Sequence, residues 1–430
     1  MDKVKLKYLT HCNVNKIYNI TNETINYIDI GSVSSDNKVN EIQLIPLDES
    51  PSRARRRIKT GDTIISTVRT YLKAIAYVSE EMNNYVCSTG FAVFSANNNL
   101  TSKYLYYSTL SIKFIDEISK KSVGVSYPAV NSSEIGNIKI CKPTLKNQEL
   151  VSNFLDFQLL DIDSLISLKE KQIKLLEEQR QAMITEAVTK GLNPNVKMKD
   201  SGVDWIGEIP EHWNLKKLKY ISKIKTSNVN KKSTDGEKSV KLCNYTDVYY
   251  NDFVSNSIDF MQATATKEQI EKFTLKRDNV LITKDSENPN DIGIPAYVVE
   301  DFIDVVCGYH LTVLEPKKSK MLGKYLYYSI VAKNFQEQFH SKANGVTRYG
   351  LTLSSIGDSL ILEPTIEEQL KIISKLDSTS SDYKTMKEKI KKQIIKLKEY
   401  RQSLIHEAVT GKIPIEEMES YLKEVGNDGN

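Results

Sequence analysis

Two long stretches of the chain repeat hydrophobic side chains every seven residues. One heptad pattern starts at Leu155 and the other at Leu376, and each is accompanied by a second set of positions four residues later. Neither stretch contains Pro or Gly before residue 190 or residue 410, so each is expected to form one long helix. The predicted seam residues are Leu155, Ile162, Ile166, Ile173, Leu176, Leu376, Tyr383, Ile390, Ile394 and Leu397.

These two helices are expected to pair with each other as a coiled coil. Each apolar stripe is long, narrow and surrounded by Lys and Glu, which favours a helix partner, although such a stripe also occurs in an ordinary globular core. The polar seam positions Arg180 and Arg401 would fix the register of the pair at some cost in stability. We expect about 35 residues per helix, or roughly 50 Å at about 1.5 Å per residue.

The segment before the first heptad has a different pattern. Short β-prone runs, such as residues 63–68 and 91–94, alternate with breaks rich in Gly, Asn and Ser, which predicts a mixed α/β body. Apolar spacing predicts one helix over residues 103–118, and Pro143 is expected to close the body.

The chain is a tandem repeat. Residues 103–108 (KYLYYS) recur as residues 324–329, and the offset of 221 then holds without a gap to residues 186–189 and 407–410. Before this region the match is looser, with offsets between 212 and 220. Each half therefore has a variable front and a constant back, which is expected of a fixed scaffold that carries two different readers, although simple duplication with drift would also leave a repeat.

Three segments resemble the specificity subunits of type I restriction-modification systems, and the resemblance extends over essentially the whole chain. Residues 200–213 (DSGVDWIGEIPEHW) are similar to the segment that opens a target-recognition domain in that family. Residues 177–188 and 398–409 are similar to its two conserved helices. The first half lacks the Trp-containing opening, so its first strand is expected to be shorter.

The resemblance implies an α+β fold with pseudo-twofold symmetry, in which two mixed α/β target-recognition domains are joined by two long antiparallel helices that form a coiled coil. The predicted segments are a first recognition domain, a central helical spacer, a linker, a second recognition domain and a C-terminal helical spacer, at residues 1–145, 146–191, 192–204, 205–365 and 366–425.

The resemblance also implies a function. The chain would recognise a bipartite site on double-stranded DNA and direct modification (adenine methyltransferase) and restriction subunits to it. Two copies of the modification subunit, one per recognition domain, are the expected partners, and restriction or translocase subunits can join them.

Composition limits the other classes of protein. The chain has 430 residues, of which 40% are hydrophobic and 27% charged, and it has no apolar run long enough to span a membrane, so we expect a cytoplasmic protein without membrane contact. The five cysteines lack the spacing of a zinc site and are expected to be reduced and buried. The net charge of +4 does not by itself indicate a nucleic-acid partner.

Candidate DNA-binding residues in the first half start with a basic run. It contains five cations in seven residues, which could neutralise several phosphates, although a charge run is more often only a solvated face. A second group follows the next predicted strand, and a third lies in the loop after Gly124. The candidates are Arg53, Arg55, Arg56, Arg57, Lys59, Arg69, Tyr71, Lys73, Ser126 and Tyr127.

The matching candidates in the second half are less basic. Asn288 and Asn290 could read adenine, but Asn-Pro-Asn is also a good turn. Arg348, in the loop after Gly345, is expected to bind a base or a phosphate. The candidates are Lys276, Arg277, Lys284, Asn288, Asn290, Thr347, Arg348 and Tyr349.

No catalytic or metal-binding motif is present in the sequence. It lacks the phosphate-binding loop, the Asn/Asp-Pro-Pro-Tyr tetrapeptide of adenine methyltransferases and the paired histidines of a zinc hydrolase. We therefore expect no cofactor and no enzymatic activity in this chain. Two alternatives stay open: a stand-alone or fused DNA nuclease, and a coiled-coil scaffold that does not bind DNA.

Overall fold

The computed structural model describes residues 2–18 and 23–428. The chain divides into two compact units. Unit 1 comprises residues 1–170 and 391–430, and unit 2 comprises residues 171–390. Each unit therefore contains one mixed α/β body, the first part of one long helix and the last part of the other.

In the part that the structure describes, the body of unit 1 contains ten strands and three short α-helices. Its two main sheets have the strand orders β2-β9-β6-β7 and β4-β3-β8-β5, and β1 pairs with β10. The strands are β1 (Lys3–Lys5), β2 (Thr10–Cys12), β3 (Thr24–Ile28), β4 (Gln43–Pro46), β5 (Ala54–Arg57), β6 (Thr63–Ser66), β7 (Ile75–Tyr77), β8 (Val86–Ser88), β9 (Phe91–Ala96) and β10 (Lys139–Cys141), and the helices are α1 (Ser102–Leu110), α2 (Ile112–Lys121) and α3 (Ser132–Gly136).

The predicted single helix over residues 103–118 is wrong, because Ser111 divides it. Ser111 has an extended backbone (φ −62°, ψ 141°), and its side chain accepts a hydrogen bond from the backbone N–H of Phe114. This is an N-cap, and it starts α2 in a new direction. The prediction that all five cysteines are buried is also wrong, since Cys12 is exposed at the end of β2.

The first long helix, α4, extends from Leu145 to Lys190 and has 46 residues. It begins one residue before the predicted spacer and is longer than the expected 35 residues, because its first turns pack under the body of unit 1, where Val151 and Leu155 are fully buried.

The body of unit 2 contains fourteen strands and six short helices. The strands are β11 (Met198–Asp200), β12 (Glu208–Pro210), β13 (Asn214–Lys217), β14 (Ser222–Thr226), β15 (Lys238–Cys243), β16 (Phe253–Val254), β17 (Met261–Ala265), β18 (Val280–Thr283), β19 (Asp285–Ser286), β20 (Pro295–Val298), β21 (Val305–Cys307), β22 (Leu311–Pro316), β23 (Tyr349–Gly350) and β24 (Leu360–Glu363), and the helices are α5 (Leu218–Ile221), α6 (Tyr245–Tyr249), α7 (Lys267–Phe273), α8 (Gly323–Val331), α9 (Lys333–Lys342) and α10 (Leu353–Gly357).

The two bodies share one topology. The order β14-β22-β18-β20 in unit 2 matches β2-β9-β6-β7 in unit 1, and β17-β15-β21 matches β4-β3-β8. The central strands β6 and β18 are buried at every position, as expected of strands covered on both faces. The first strand of unit 1 has three residues against four in its counterpart β13, which agrees with the expected shortening.

The second long helix, α11, extends from Ile366 to Thr410 and has 45 residues. The predicted C-terminal spacer, residues 366–425, is not one helix. Gly411 adopts a left-handed backbone (φ 74°) and Pro414 follows it, so the chain turns before α12 (Ile415–Asp428). None of the described helices is long and apolar enough to cross a membrane.

The long helices pair antiparallel in each unit, as ion pairs across the seam show. In unit 1, Arg401 Nε lies 2.9 Å from Asp163 Oδ1 and Lys398 Nζ lies 4.0 Å from Glu170 Oε1. In unit 2, Lys387 Nζ lies 2.9 Å from Glu177 Oε2. Residue numbers thus rise on one helix as they fall on the other. All ten predicted seam residues are buried or half-buried.

The same side chains hold each body on its helices. In unit 1, Lys103 Nζ lies 2.9 Å from Asp156 Oδ1, and Tyr104 Oη donates to the carbonyl oxygen of Val409 at 3.1 Å. The positions 221 residues away repeat both contacts in unit 2. Lys324 Nζ lies 2.7 Å from Asp377 Oδ2, and Tyr325 Oη donates to the carbonyl oxygen of Val188 at 3.3 Å. The constant part of the repeat is therefore this anchoring set.

Different segments pack against the starts of the long helices in the two units, α4 in unit 1 and α11 in unit 2. In unit 1, α12 packs against the start of α4, where the rings of Phe154 and Tyr421 meet edge to face at 5.4 Å. In unit 2, the predicted linker, residues 192–204, includes strand β11, which forms a hairpin with β12. The chain then reaches Trp213, which is buried and donates from Nε1 to Glu368 Oε1 at 3.1 Å.

Candidate nucleic-acid interface

The candidate residues lie at opposite ends of the central strands. Lys59 precedes β6 in a turn that is closed by a hydrogen bond from its N–H to Asp62 Oδ2, at 2.9 Å. Lys276 precedes β18 in a matching turn, with its N–H 3.0 Å from Asn279 Oδ1. Arg277 lies in that same turn. Arg69 and Lys284 instead follow the strands. In each unit, the predicted residues are therefore divided between the two ends of the central strand.

The surface after β6 is formed by residues 67–73 and 123–129, which we call the first rim. Arg69 and Lys73 flank one short 3-10 turn, and both have left-handed backbones, with φ of 49° and 53°. Such strain in residues other than Gly is concentrated at functional sites. The N–H of Arg69 donates to the carbonyl oxygen of Pro128 at 2.8 Å, which joins the two segments.

The first rim combines cations with exposed aromatic rings. The guanidinium carbon of Arg69 lies 4.7 Å from the ring centre of Tyr127. Tyr71 and Tyr127 are 57% and 65% exposed, and Ser126 and Lys73 are exposed beside them. Exposed rings offer stacking faces and hydroxyl donors, and the cations attract phosphates.

The basic run before β6 is mostly bound to its own unit. Arg57 forms an ion pair with Glu23 at 2.9 Å, Arg55 donates to the carbonyl oxygen of Ala54 at 2.7 Å, and half-buried Arg56 donates to Asn13 and to the carbonyl oxygen of Phe91. Glu23 therefore offsets the charge of Arg57, and the neutral partners of Arg55 and Arg56 occupy donors that these side chains could otherwise offer to DNA.

Arg53 is the member of that run beside the first rim. Its carbonyl oxygen accepts a hydrogen bond from the N–H of Thr89. Gly90, which follows Thr89, accepts one at its carbonyl oxygen from the N–H of Thr67 in the first rim. The Arg53 side chain is 53% exposed and lies 2.8 Å from Asp29. Lys59 is exposed, but it lies at the other end of β6.

The surface after β18 is formed by residues 284–286, 308–310 and 344–351, which we call the second rim. Strands β19 and β23 pair here, and Lys284 accepts a hydrogen bond at its carbonyl oxygen from the N–H of Leu351 at 2.8 Å. The Lys284 amine lies 4.3 Å from the ring centre of Tyr309. Burial lowers the pKa of Lys284, and neighbouring Asp285 acts in the opposite direction.

Arg348 and His310 share one carboxylate at the second rim. Arg348 NH2 lies 2.6 Å from Asp285 Oδ1, and His310 Nδ1 lies 2.9 Å from Asp285 Oδ2. The Arg348 side chain is 57% exposed, whereas that of Asp285 is only 15% exposed. Thr347 is exposed next to Arg348, and Tyr349 is half-buried.

The Asn-Pro-Asn segment forms a turn. Asn288 Oδ1 accepts a hydrogen bond from the N–H of Asn290 at 3.0 Å, and the carbonyl oxygen of Asn288 accepts one from the N–H of Asp291. The Asn288 side-chain oxygen is therefore engaged in the turn. Asn290 is exposed, and its side-chain amide makes no hydrogen bond within the described residues.

A cleft beside the second rim contains residues that the sequence reasoning missed. It has a volume of about 310 Å³. The exposed pair Lys231 and Lys232, on the loop before β15, was an available signal, although a two-lysine run is common. The lining residues are Asn230, Lys231, Lys232, Asn244, Tyr245, Gly308, Tyr309 and His310.

No group of three or more His, Cys, Asp or Glu side chains could hold a metal ion within residues 2–18 and 23–428.

Comparisons with known proteins give one consistent family. The family model described as the type I restriction modification DNA specificity domain matches the chain twice, at residues 4–178 and 210–396. The chain is 26% identical over 329 residues to the type I restriction enzyme MjaVIII specificity subunit of Methanocaldococcus jannaschii, which covers 75% of this chain and 72% of that protein.

Two further similarities extend over more of the chain. It is 20% identical over 395 residues to the type I restriction enzyme EcoKI specificity subunit of Escherichia coli, which covers 87% of this chain and 80% of that protein. A solved structure described as showing complex assembly and conformational transition of the type I R-M system has a TM-score of 0.69 at 20% identity and covers 95% of this chain and 97% of that one. At this identity the likeness concerns the fold.

Proposed function

The chain belongs to the family of type I restriction modification DNA specificity domains, and on this premise we propose that it reads a bipartite site on double-stranded DNA, one half-site per unit. It is a non-catalytic DNA-recognition subunit. The observation that carries the proposal is the repeated body, since two copies of one topology are each anchored by the same contacts but present different side chains at their rims.

The rims are the proposed DNA-contacting surfaces. Phosphate contacts would come from cations that form no ion pair within the described residues, such as Arg69, Lys73 and the pair Lys231 and Lys232. Sequence would be read by side chains that reach the base edges, for which Arg348 and Asn290 are suited by their donors and exposure. Lys59, Lys276 and Arg277 lie at the other ends of the central strands and are weaker candidates.

The proposed partners are those that the family name supplies. Methyltransferase and restriction subunits act with this chain on DNA, and we propose two methyltransferase copies because the anchoring contacts occur twice. The long helices would serve as the spacer between the recognition bodies. We place the protein in the cytoplasm, where its DNA and its partners are found.

Purified protein tests this function directly. We expect it to bind DNA with an affinity that falls steeply with salt, and to neither cleave nor methylate DNA until the partner subunits are added. With the modification subunit present, sequencing of methylated bases should give one bipartite motif. Cleavage by the chain alone would favour a nuclease, and an absence of DNA binding with and without partners would favour a scaffold.

A further inference from the structure

The Arg348 side chain is held in place from one side. Its NH2 group contacts Asp285, and the second carboxylate oxygen of Asp285 is occupied by His310. Asp285 itself is fixed, because its strand β19 pairs with β23 in register with Gly350. The carboxylate therefore cannot turn away without losing both of its partners.

The backbone under Arg348 is also rigid. The loop closes with two hydrogen bonds between the backbones of Asn344 and Gly350, at 3.1 and 2.9 Å. Gly345 has φ of 150°, and a Cβ at this position would overlap the carbonyl oxygen of Arg348. Arg348 is thus presented by a loop that only Gly permits, so little side-chain or backbone freedom is lost when it binds a target.

The exposed edge of the guanidinium group keeps its donors. Within the described part of the chain, Arg348 Nε and NH1 have no hydrogen-bond partner, and the side chain is 57% exposed. Nε and NH1 lie on different sides of the guanidinium group, so each can donate to a separate acceptor. In the major groove, guanine offers acceptors at O6 and N7.

The charge balance favours a base over a phosphate. Asp285 neutralises Arg348 and would repel a phosphate that approached the same spot. A base edge carries no net charge, so the carboxylate costs little there, and it could accept a hydrogen bond from a neighbouring cytosine amino group. Lys284, Lys231 and Lys232 are available nearby for the phosphates.

We propose that Arg348, positioned by Asp285, reads a guanine in the half-site bound by unit 2. This inference rests on the proposed function, because it assigns one base contact within it. Asp285 acts as a positioning residue, and His310 keeps its carboxylate in place.

The first test is the methylation motif of the chain in complex with its modification subunit. We expect the wild-type motif to be bipartite and to contain a G·C pair in the half-site of unit 2 that becomes degenerate in Arg348→Ala. Lys318→Ala is the control, because this exposed lysine is not a candidate residue and contacts Asp278 in the turn at the other end of β18, and its motif should not change. An unchanged motif in Arg348→Ala overturns the guanine contact but leaves the proposed function standing, whereas a wild-type complex without a bipartite motif removes both.

The second test remains informative if Arg348→Ala methylates poorly. Replacing the guanine by 7-deazaguanine removes the N7 acceptor, and it should weaken wild-type binding on the order of 10-fold while leaving Arg348→Ala unaffected. An equal loss in wild type and Arg348→Ala would contradict the contact.

Asp285→Asn tests the positioning role. It should tighten binding to unrelated DNA, because the positive charge of Arg348 is no longer offset, and at the same time lower the preference for guanine over adenine. A merely structural aspartate would weaken binding to every sequence alike, and that outcome would overturn the assignment.

Discussion

The two units are most alike where the body meets the long helices and most different at the rims. The contacts of Lys103 with Asp156 and of Tyr104 with Val409 in unit 1 both have counterparts 221 residues away in unit 2. At the rims, Arg69 lies over a tyrosine ring, whereas Arg348 is paired with an aspartate. The difference indicates that the scaffold and the reading surfaces are separate layers of the molecule, so a rim can change without disturbing how its body is held.

The largest effect is expected when the long helices are changed and the rims are left as they are. Deleting one heptad from each long helix, residues 170–176 and 388–394, keeps the seam in register and removes roughly 10 Å of helix, which corresponds to about three base pairs. We expect the methylation motif to keep both half-sites while its unread spacer changes by about that amount. An unchanged spacer would show that the helices do not set the distance.

The second effect tests whether the anchors are equivalent. Gln369 is fully buried; its Oε1 accepts from the N–H of Leu322, and its Nε2 donates to the carbonyl oxygens of Lys320 and Pro364. Gln369→Ala leaves these groups unpaired and should cost about 3 kcal/mol of stability. The counterpart Gln148→Ala should cost about the same.

Fluorescence distinguishes these two variants, because both tryptophans, Trp205 and Trp213, lie in unit 2. Gln369→Ala should lower the urea midpoint followed by tryptophan emission, and Gln148→Ala should lower the midpoint of the unit 1 transition followed by circular dichroism. If only one of the pair is destabilising, the two anchoring layers are not equivalent.

A smaller effect is expected on the salt dependence of DNA binding, which differs between the two rims. Each phosphate contact contributes about one unit to the slope of log binding constant against log salt concentration. Arg69→Ala and Lys73→Ala should each reduce that slope by about one, whereas Arg348→Ala should reduce it by clearly less because Asp285 already balances its charge. Equal reductions for all three variants would mean that Arg348 also meets a phosphate.

The smallest effect is expected on the pH dependence of stability, through Glu368 at the start of α11 in unit 2. Burial opposes ionisation of Glu368, but hydrogen bonds from His212, Thr365 and Trp213 outweigh it and lower its pKa from 4.5 to about 2. The ionised carboxylate therefore stabilises the fold above about pH 4.5, and this contribution is lost as the pH falls toward 2.

Glu368→Gln should accordingly lower the urea midpoint at pH 6, and the difference from wild type should shrink at pH 3, as followed by tryptophan emission. Glu367→Gln is the control, because that neighbouring carboxylate forms an exposed ion pair with Lys371 on the same helix. A gap that is constant across this pH range would contradict the role of the charge.

Local patterns predicted the shared layer well. The heptads beginning at Leu155 and Leu376 specify the helix pair, and the repeat specifies the common topology, because both depend on spacing along the chain. The surroundings of the candidate DNA-binding residues depend on distant partners, so the sequence could not show that Glu23 and Asn13 engage Arg57 and Arg56, or that Asp285 meets both His310 and Arg348. The break at Ser111 was missed because a serine inside an apolar helical pattern rarely stands out.

The make-up of the two units has a consequence for synthesis on the ribosome. Unit 2 is continuous from residue 171 to residue 390, so all of its parts have been translated before α11 is finished. Unit 1 is interrupted, and Tyr104 and Leu110 find their partners Val409 and Gln402 only when the last turns of α11 have been made. Unit 1 thus begins to be translated before unit 2 but is completed after it, and the nascent chain exposes the docking face of its first body until α11 has been made.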